Sequence, residues 1–198
     1  MKQITFRQYR RIDLTLLCVL TAIFETVASL ATNKWFVLQA MAVSITLMMT
    51  CLTMLRWGWQ AILPSIIGAF AYCTASGGSI KQYIIYCGGA LFCILSLPLL
   101  KRIGKEKVRN DFVMRSVFAI TTYLCVTVGR WLVSLIFEPT LSTLLPFITT
   151  DVLSLLFAVL VLSLGKSMDG LTEDQKSYLL RLDRERKEVE NENLNDSF

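Results

Sequence analysis

The charged residues of this chain are confined to a few short segments, and this distribution most limits what it can fold into. They concentrate in residues 1–13, 101–115 and 166–196, and the long stretches between these segments carry almost no charge. A soluble domain has about 25% charged residues, whereas this chain has 18%, with 54% hydrophobic residues and a mean hydropathy of +0.55. Because apolar stretches of this length need an apolar solvent, the sequence predicts an all-α integral membrane protein.

The apolar stretches divide into predicted transmembrane helices joined by short connections. Six helices are expected, at about 13–32, 36–55, 60–76, 81–100, 112–137 and 147–166. The second has no charged residue, and we expect it to be the helix most exposed to lipid. Small residues such as Gly68-Ala69 and Gly88-Gly89 indicate where helices approach closely. The expected order is therefore a basic segment 1–12, a transmembrane domain 13–166 and a tail 167–198.

The positions of lysine and arginine predict the orientation of these helices, because cytoplasmic connections are enriched in both residues. The N-terminus, the turn at Arg56, the segment 101–115 and the tail all lie on one side and carry most of them, while the other side holds only Lys34 and Lys81. Both termini are therefore predicted to lie in the cytoplasm of a multi-pass protein of the cell membrane. The basic start resembles a signal peptide, but Glu25 interrupts its apolar run and five more spans follow, so we expect the first helix to be retained.

The tail has the pattern of a short amphipathic helix at about 172–190. Thr172 is the expected N-cap, with Gln175 as its capping-box partner. Tyr178, Leu179 and Leu182 then form an apolar stripe opposite charged residues. Such a helix either lies on the membrane surface or docks onto a partner.

Three ionisable residues fall inside predicted spans: Glu25 in the first, Arg130 in the fifth and Asp151 in the sixth. At 1.5 Å per residue, Glu25 lies ~18 Å from the cytoplasmic start of its helix, Arg130 ~27 Å from that of its own, and Asp151 ~22 Å from the inner end of the last. All three therefore belong to the outer half of the membrane. Intramembrane charges are costly and mark sites by default, so we expect an outward-facing polar pocket, or else an ion-pair network that ties helices together.

Other polar and aromatic residues are expected at the same depth. Trp35 and Tyr83 are the principal aromatic candidates for the wall of a ligand pocket. The further candidates are Asn33, Tyr72, Tyr86 and Thr150. One arginine against two carboxylates leaves a surplus of negative charge. Either one acid is protonated, or a cationic or ring-containing ligand completes the set, or Arg130 holds a ligand carboxylate or phosphate.

The sequence argues against an enzyme. It has no histidine, which excludes a Ser-His-Asp triad and a helical HExxH zinc motif, and Leu160 stands where a phosphate-binding loop ending at Gly165-Lys166-Ser167 needs its first glycine. The six cysteines lie in apolar runs without a CxxC pair. We therefore expect no metal and no cofactor, and uphill transport would need a partner or ion coupling.

Three segments resemble one family of transport subunits. They are Leu16-Leu17-Cys18-Val19-Leu20-Thr21-Ala22-Ile23-Phe24-Glu25, Thr149-Thr150-Asp151-Val152-Leu153-Ser154-Leu155-Leu156 and Met168-Asp169-Gly170-Leu171-Thr172-Glu173-Asp174-Gln175-Lys176. Together with the six-helix pattern, over residues 13–190 the chain resembles the substrate-binding S component of energy-coupling factor (ECF) transporters. The resemblance implies a membrane coupling subunit, a pair of cytoplasmic ATPases and a vitamin or related micronutrient as cargo. It also implies that the first helix docks through an Ala-x-x-x-Ala face, here Cys18 and Ala22, with cysteine in place of the first alanine.

Two other kinds of function stay open at this stage. One is an ion-coupled permease acting alone, with Glu25 and Asp151 as proton carriers. The other is a membrane scaffold in which Glu25, Arg130 and Asp151 only hold helices together. Neither class involves nucleic acid.

Overall fold

The computed structural model describes residues 5–35, 43–137, 139, 144–166 and 171–195, with residues 33–35, 183, 186–187 and 189–195 described by backbone alone. Its helices are α1 (Phe6–Trp35), α2 (Thr46–Trp57), α3 (Ile62–Ala75), α4 (Ile80–Ala90), α5 (Leu97–Ile103), α6 (Lys105–Asn110), α7 (Phe112–Ser134), α8 (Leu144–Thr150), α9 (Val152–Gly165) and α10 (Gln175–Asn195). Short 3-10 segments, Gly58–Ala61 and Leu91–Ser96, join α2 to α3 and α4 to α5. Over these ranges the protein is all-helical, as predicted.

Three helical segments are long and apolar enough to cross a membrane: Phe6–Thr32, Ile80–Ile103 and Phe112–Ser134. A fourth is added if α8 and α9, which are bent by 41° at Asp151, form one span. A span needs about 20 residues, whereas α2 has 12 and α3 has 14. The described residues therefore include three or four helices of spanning length where six were predicted. The start of the predicted second span, residues 36–42, lies outside the described residues.

The expectation that the second helix faces lipid is wrong. Every residue of α2 from Thr46 to Arg56 is buried, because α1, α3, α7 and α9 surround it. The hydroxyls of Thr50 and Thr53 donate to carbonyls of their own helix at 2.7 Å, which satisfies them without a partner outside the helix. A protein core excludes charged residues as strongly as a lipid-facing surface does. The absence of charge from the predicted second span therefore did not distinguish a buried helix from a lipid-exposed one.

The predicted close approaches at Gly68 and Gly88-Gly89 are confirmed. A Cβ on Gly68 would lie 2.1 Å from Oγ1 of Thr46, and one on Gly89 would lie 2.7 Å from the backbone nitrogen of Arg130. One on Gly88 would lie 3.2 Å from Cγ2 of Val133. Gly68 thus lets α3 pack against the Thr46 side chain of α2, and Gly89 lets α4 meet the backbone of α7 at Arg130. Both contacts place main chain directly beside the polar groups described below.

The start of α1, the end of α2 and the start of the tail meet at one end of the bundle, which we call the basic end. Arg56 donates to both carboxylate oxygens of Asp13, at 3.2 and 2.7 Å, and to the carbonyl of Leu171 at 3.1 Å. Nε1 of Trp57 donates to Asp13 at 2.5 Å, and the hydroxyl of Tyr9 donates to Gln175 at 3.0 Å. One arginine thus joins three separate segments of the chain.

The tail helix begins later than predicted. Thr172 is buried without being a helix cap, and α10 starts at Gln175. Asp174 precedes it and accepts a hydrogen bond from the backbone nitrogen of Ser177 at 3.4 Å. Asp174 also forms an ion pair with Lys105. The predicted capping box is absent because Thr172 is buried beside Gly165 of α9, three residues before the helix starts.

Candidate functional site

The centre of the candidate site is an ion pair between Arg130 and Asp151. Arg130 lies near the end of α7 and is 8% exposed, while Asp151 stands at the break between α8 and α9. The hydroxyl of Tyr123 donates to the carbonyl of Ile148, on the α8 side of that break. A helix interrupted at membrane depth is tolerated where it lines a cavity or packs inside protein. The interruption places the Asp151 carboxylate opposite the guanidinium.

Aromatic rings cover the other side of the Arg130 guanidinium. Its Cζ lies 4.5 Å from the centroid of the Tyr86 ring, a distance at which the ring face attracts a cation. Tyr72 stacks on Tyr86 with centroids 5.1 Å apart, and Phe147 of α8 meets Tyr86 edge-on at 6.4 Å. Asp151, Arg130, Tyr86 and Phe147 therefore follow one another in a continuous row.

Glu25 does not pair with Arg130 in this structure. Its side chain is fully buried, and Oε2 accepts hydrogen bonds from the backbone nitrogens of Ile45 and Thr46, at 2.7 and 2.9 Å. These are free N–H groups at the N-terminus of α2, where the helix dipole also favours a negative charge. Glu25 thus closes the start of a buried helix together with Oγ of Ser44, which accepts the Thr46 amide at 3.3 Å.

A small cavity connects these groups, with a volume of about 20 Å³. Its wall is rich in polar side chains, namely Ser44, Thr46, Thr50, Ser65, Thr127, Arg130, Asp151 and Ser154. Oγ1 of Thr46 and Nε of Arg130 are buried without a hydrogen-bond partner among the described residues. This volume is about that of one water molecule. Glu25 lies directly behind the wall, since it accepts the Thr46 amide.

Each buried carboxylate of the site has a partner supplied by the protein. The Asp151 carboxylate is paired with Arg130, and the Glu25 carboxylate is held by two amides at a helix N-terminus. The two amides are uncharged, so the site still has two carboxyl groups and one guanidinium.

The structure brings together some of the predicted residues and leaves others apart. Tyr83 donates to Thr74 at 3.0 Å and packs on Phe70, neither of which lines the cavity. Thr150 donates to the carbonyl of Pro146 in its own helix at 2.7 Å. The side chains of Asn33 and Trp35 lie outside the described residues. Of the aromatic candidates, Tyr86 and Tyr72 rather than Tyr83 stand beside Arg130.

The predicted docking residues, Cys18 and Ala22, lie partly exposed on α1. They flank its buried stripe, which runs through Leu14, Leu17, Thr21, Glu25 and Ser29. Ile12, Leu16, Val19, Ile23, Val27 and Leu30 form an exposed apolar stripe elsewhere on the helix. Cys18 and Ala22 therefore stand between the surface packed on the bundle and the surface open to its surroundings.

Sequence reasoning missed the serines of the cavity wall and Phe147. Ser154 accepts a hydrogen bond from the backbone nitrogen of Ser44 at 2.8 Å, which fixes the start of α2 against α9. The spacing contained one usable signal, because Ser154 stands three residues after Asp151 and so lies on the same helix face. Nothing comparable identified Ser44 or Phe147, since their roles depend on contacts between distant segments.

Comparison with known proteins adds no relative. The sequence matches no family model, and neither a curated protein nor a solved structure matches the chain.

Proposed function

We propose that this chain is the substrate-binding membrane subunit of an ECF-type importer. It would capture a vitamin or related micronutrient from outside and deliver it with a coupling subunit and an ATPase pair. The proposal includes six membrane-crossing segments, with α2 and α3 as short members, and both termini in the cytoplasm. The observation that carries it is the row Asp151–Arg130–Tyr86, in which Arg130 is buried and the other two are partly exposed. The row joins an ion pair, an aromatic face and a small polar cavity inside an apolar bundle.

The chemistry of this row supports binding of a small organic molecule. Ligand sites combine aromatic walls with a few placed polar groups, and Tyr72, Tyr86 and Arg130 are such a set. Nε of Arg130 has no partner among the described residues, so the guanidinium retains a donor. Asp151 is the N-cap of α9, and its carbonyl accepts the Leu155 amide at 3.3 Å, so it stays in place when α8 moves. The present cavity of about 20 Å³ then corresponds to the closed, unloaded form.

The division of the molecule into two ends also supports a subunit that works with a motor. The basic end holds the ion pairs of Arg56 with Asp13 and of Arg109 with Glu173. The candidate binding row lies away from these groups, next to the ends of α7 and α8. A receptor that collects cargo on one side and meets cytoplasmic ATPases on the other needs this separation.

Mass spectrometry of small molecules that copurify with the full chain tests the binding role. Wild-type protein is expected to carry a defined organic ligand, and Arg130→Met is expected to lose it while remaining monodisperse. Arg102→Met, which removes an exposed arginine of α5, is the matched control and should retain the ligand. A wild-type chain that carries nothing, and binds no vitamin in a direct panel, would refute the binding role.

Association with a coupling subunit is tested separately. Ala22→Trp is expected to block assembly with a coupling subunit and ATPases without affecting ligand retention. Thr15→Trp adds the same bulk at an exposed position of α1 and should assemble normally. Equal assembly of both variants contradicts docking through Cys18 and Ala22.

An ion-coupled permease is the second candidate, and one observation favours it. Oε1 of Glu25 is buried with no hydrogen-bond partner among the described residues, and the adjoining cavity admits only a water-sized particle. Proteoliposomes distinguish the two functions. Substrate uptake by the chain alone, driven by a pH gradient and abolished by Glu25→Gln, would establish the permease and refute the importer subunit.

A further inference from the structure

A second, larger cavity lies at the end of the bundle opposite the basic end. Its volume is about 370 Å³, and it opens between the start of α4, the end of α7 and α8. It is lined by Ser79, Lys81, Gln82, Ile85, Ser134, Phe137, Pro146 and Phe147. Small-molecule pockets measure roughly 300–1,000 Å³, so this cavity has the size of a ligand site, whereas the inner one has not. We call it the outer vestibule.

The outer vestibule carries positive charge and an apolar wall. Lys81 is exposed and is the one charged residue among the described lining residues. No ion pair joins it to another residue in the described ranges. Ile85, Phe137 and Phe147 supply the apolar surface. An ammonium group beside low-dielectric walls attracts anions over a longer range than one in open water. This lining is therefore suited to a molecule with an anionic head and an apolar body.

Phe147 stands between the outer vestibule and the inner cavity. Its ring lines the vestibule and packs edge-on against Tyr86, whose face carries Arg130. Arg130 in turn lines the inner cavity. Lys81 and Arg130 are thus two cationic groups on the two sides of a barrier made of Phe147 and Tyr86.

We propose that the outer vestibule is the receiving site for a small organic anion, a carboxylate or phosphate on an apolar body, and that Phe147 closes the passage to Arg130. The inference rests on the proposed function, because it names the class of cargo. The anionic head meets Lys81 first and, once Phe147 is displaced, accepts a hydrogen bond from Nε of Arg130, which has no partner among the described residues. The helix break at Asp151 allows α8 to carry Phe147 aside while α9 stays in the bundle.

The charge preference is tested by cysteine labelling of the full chain in detergent. In a variant without its six cysteines, Ile85→Cys places a thiol in the vestibule one helical turn from Lys81. Its rates with an anionic sulfonate and a cationic ammonium methanethiosulfonate reagent are compared. Loss of the Lys81 charge is expected to slow the anionic reagent about threefold and to speed the cationic reagent about threefold. Lys81→Gln should therefore lower the anion-to-cation rate ratio about tenfold. Lys176→Gln, in the exposed tail, is the matched control and should leave it unchanged.

Two outcomes overturn the charge assignment. One is that neither reagent modifies the thiol introduced by Ile85→Cys, because the vestibule then excludes water. The other is a rate ratio that Lys81→Gln leaves as it was. Neither outcome bears on whether the protein copurifies with a ligand or assembles with ATPases, so failure of this inference is distinguishable from failure of the proposed function.

The barrier is tested with a thiol in the inner cavity. Thr127→Cys is expected to give a thiol that is unreactive toward the sulfonate reagent. Adding Phe147→Ala is expected to raise its rate at least tenfold, with Phe147→Leu giving an intermediate rate. Phe112→Ala removes an exposed ring at the start of α7 and should have no effect. The barrier is refuted if the Thr127→Cys thiol reacts as fast with Phe147 intact as with Phe147→Ala. It is also refuted if the thiol stays unreactive when Phe147→Ala and Phe147→Leu are both well folded.

Discussion

The carboxylate of Glu25 accepts the backbone amide of Thr46 at 2.9 Å, so a side chain of the first helix closes the N-terminus of the second. Helix starts in proteins are commonly closed by a serine, threonine or aspartate of the same segment. Here Ser44 of the same segment accepts the Thr46 amide at 3.3 Å, and the shorter hydrogen bond goes to Glu25, 21 residues away in the chain. Glu25 positions α2 against the polar cavity. The Arg130–Asp151 pair closes the far wall of that cavity.

Removal of the Glu25 carboxylate is expected to destabilise the bundle. Glu25→Ala removes the acceptor of the Ile45 amide and leaves the Thr46 amide only Oγ of Ser44, at 3.3 Å, so it should lower the free energy of unfolding by about 1–3 kcal/mol. Glu25→Gln retains an acceptor oxygen and should lose less than half as much. Thermal or denaturant unfolding in detergent measures both, with Glu185→Ala in the tail as control. Equal losses for the two Glu25 variants would mean that the cap contributes little.

Arg130 and Asp151 are expected to behave as one unit. Arg130→Ala leaves a buried carboxylate unpaired and should cost about 3–5 kcal/mol, whereas the double change Arg130→Met with Asp151→Leu should cost clearly less than the sum of its single changes. A double-mutant cycle of unfolding free energies measures the coupling. Additive single effects would contradict a direct ion pair.

Gly89 is expected to tolerate no side chain. A Cβ at this position would lie 2.7 Å from the Arg130 nitrogen and 2.8 Å from its Cα, and backbone cannot move aside as a flexible side chain can. Gly89→Val should therefore destabilise by about 3 kcal/mol or more and displace Arg130 from Tyr86. Gly88→Ala, whose nearest contact is a Val133 methyl at 3.2 Å, should cost much less. Similar melting temperatures for both variants would show that α4 and α7 separate freely.

Arg56 is expected to hold the tail onto the bundle. It joins Asp13 to the carbonyl of Leu171, so Arg56→Ala should speed hydrogen exchange in residues 171–180 at least tenfold. Arg56→Lys keeps the charge without the fork of donors and should give an intermediate rate. Arg102→Ala is the control. Unchanged exchange in Arg56→Ala would assign the anchoring to the ion pairs of Lys105 and Arg109 instead.

The lysine and arginine distribution predicts where fusion partners function. Green fluorescent protein fused after Phe198 should fluoresce, and alkaline phosphatase at the same position should be inactive, because that enzyme folds only outside the cytoplasm. Phosphatase inserted after Gly78, between α3 and α4, should be active. An active C-terminal phosphatase would reverse the predicted orientation.

Individual residues of the site differ in how far their positions could be predicted from the sequence. Glu25, Arg130 and Asp151 were identified because charge inside an apolar run is visible in the sequence, and all three do lie at or directly behind one cavity. Their pairing was not visible, since depth along three helices does not determine which faces meet. Tyr83 was preferred over Tyr86, although the two stand three residues apart, and helix rotation decided between them.

The sequence by itself determined the helical character, the apolar interior and the concentration of basic residues at one end, because these depend on composition and on local spacing. Tertiary structure alone decided that α2 is the most enclosed helix, that Glu25 serves as its cap, and that Phe147 and Tyr86 stand in front of Arg130. Such features depend on contacts between helices, as where Gly68 packs against Thr46 and Gly89 against Arg130, and close packing is a property of helix pairs rather than of any single helix. The confinement of charge that predicted a membrane protein thus located the polar groups, and the packing of the bundle assigned their partners.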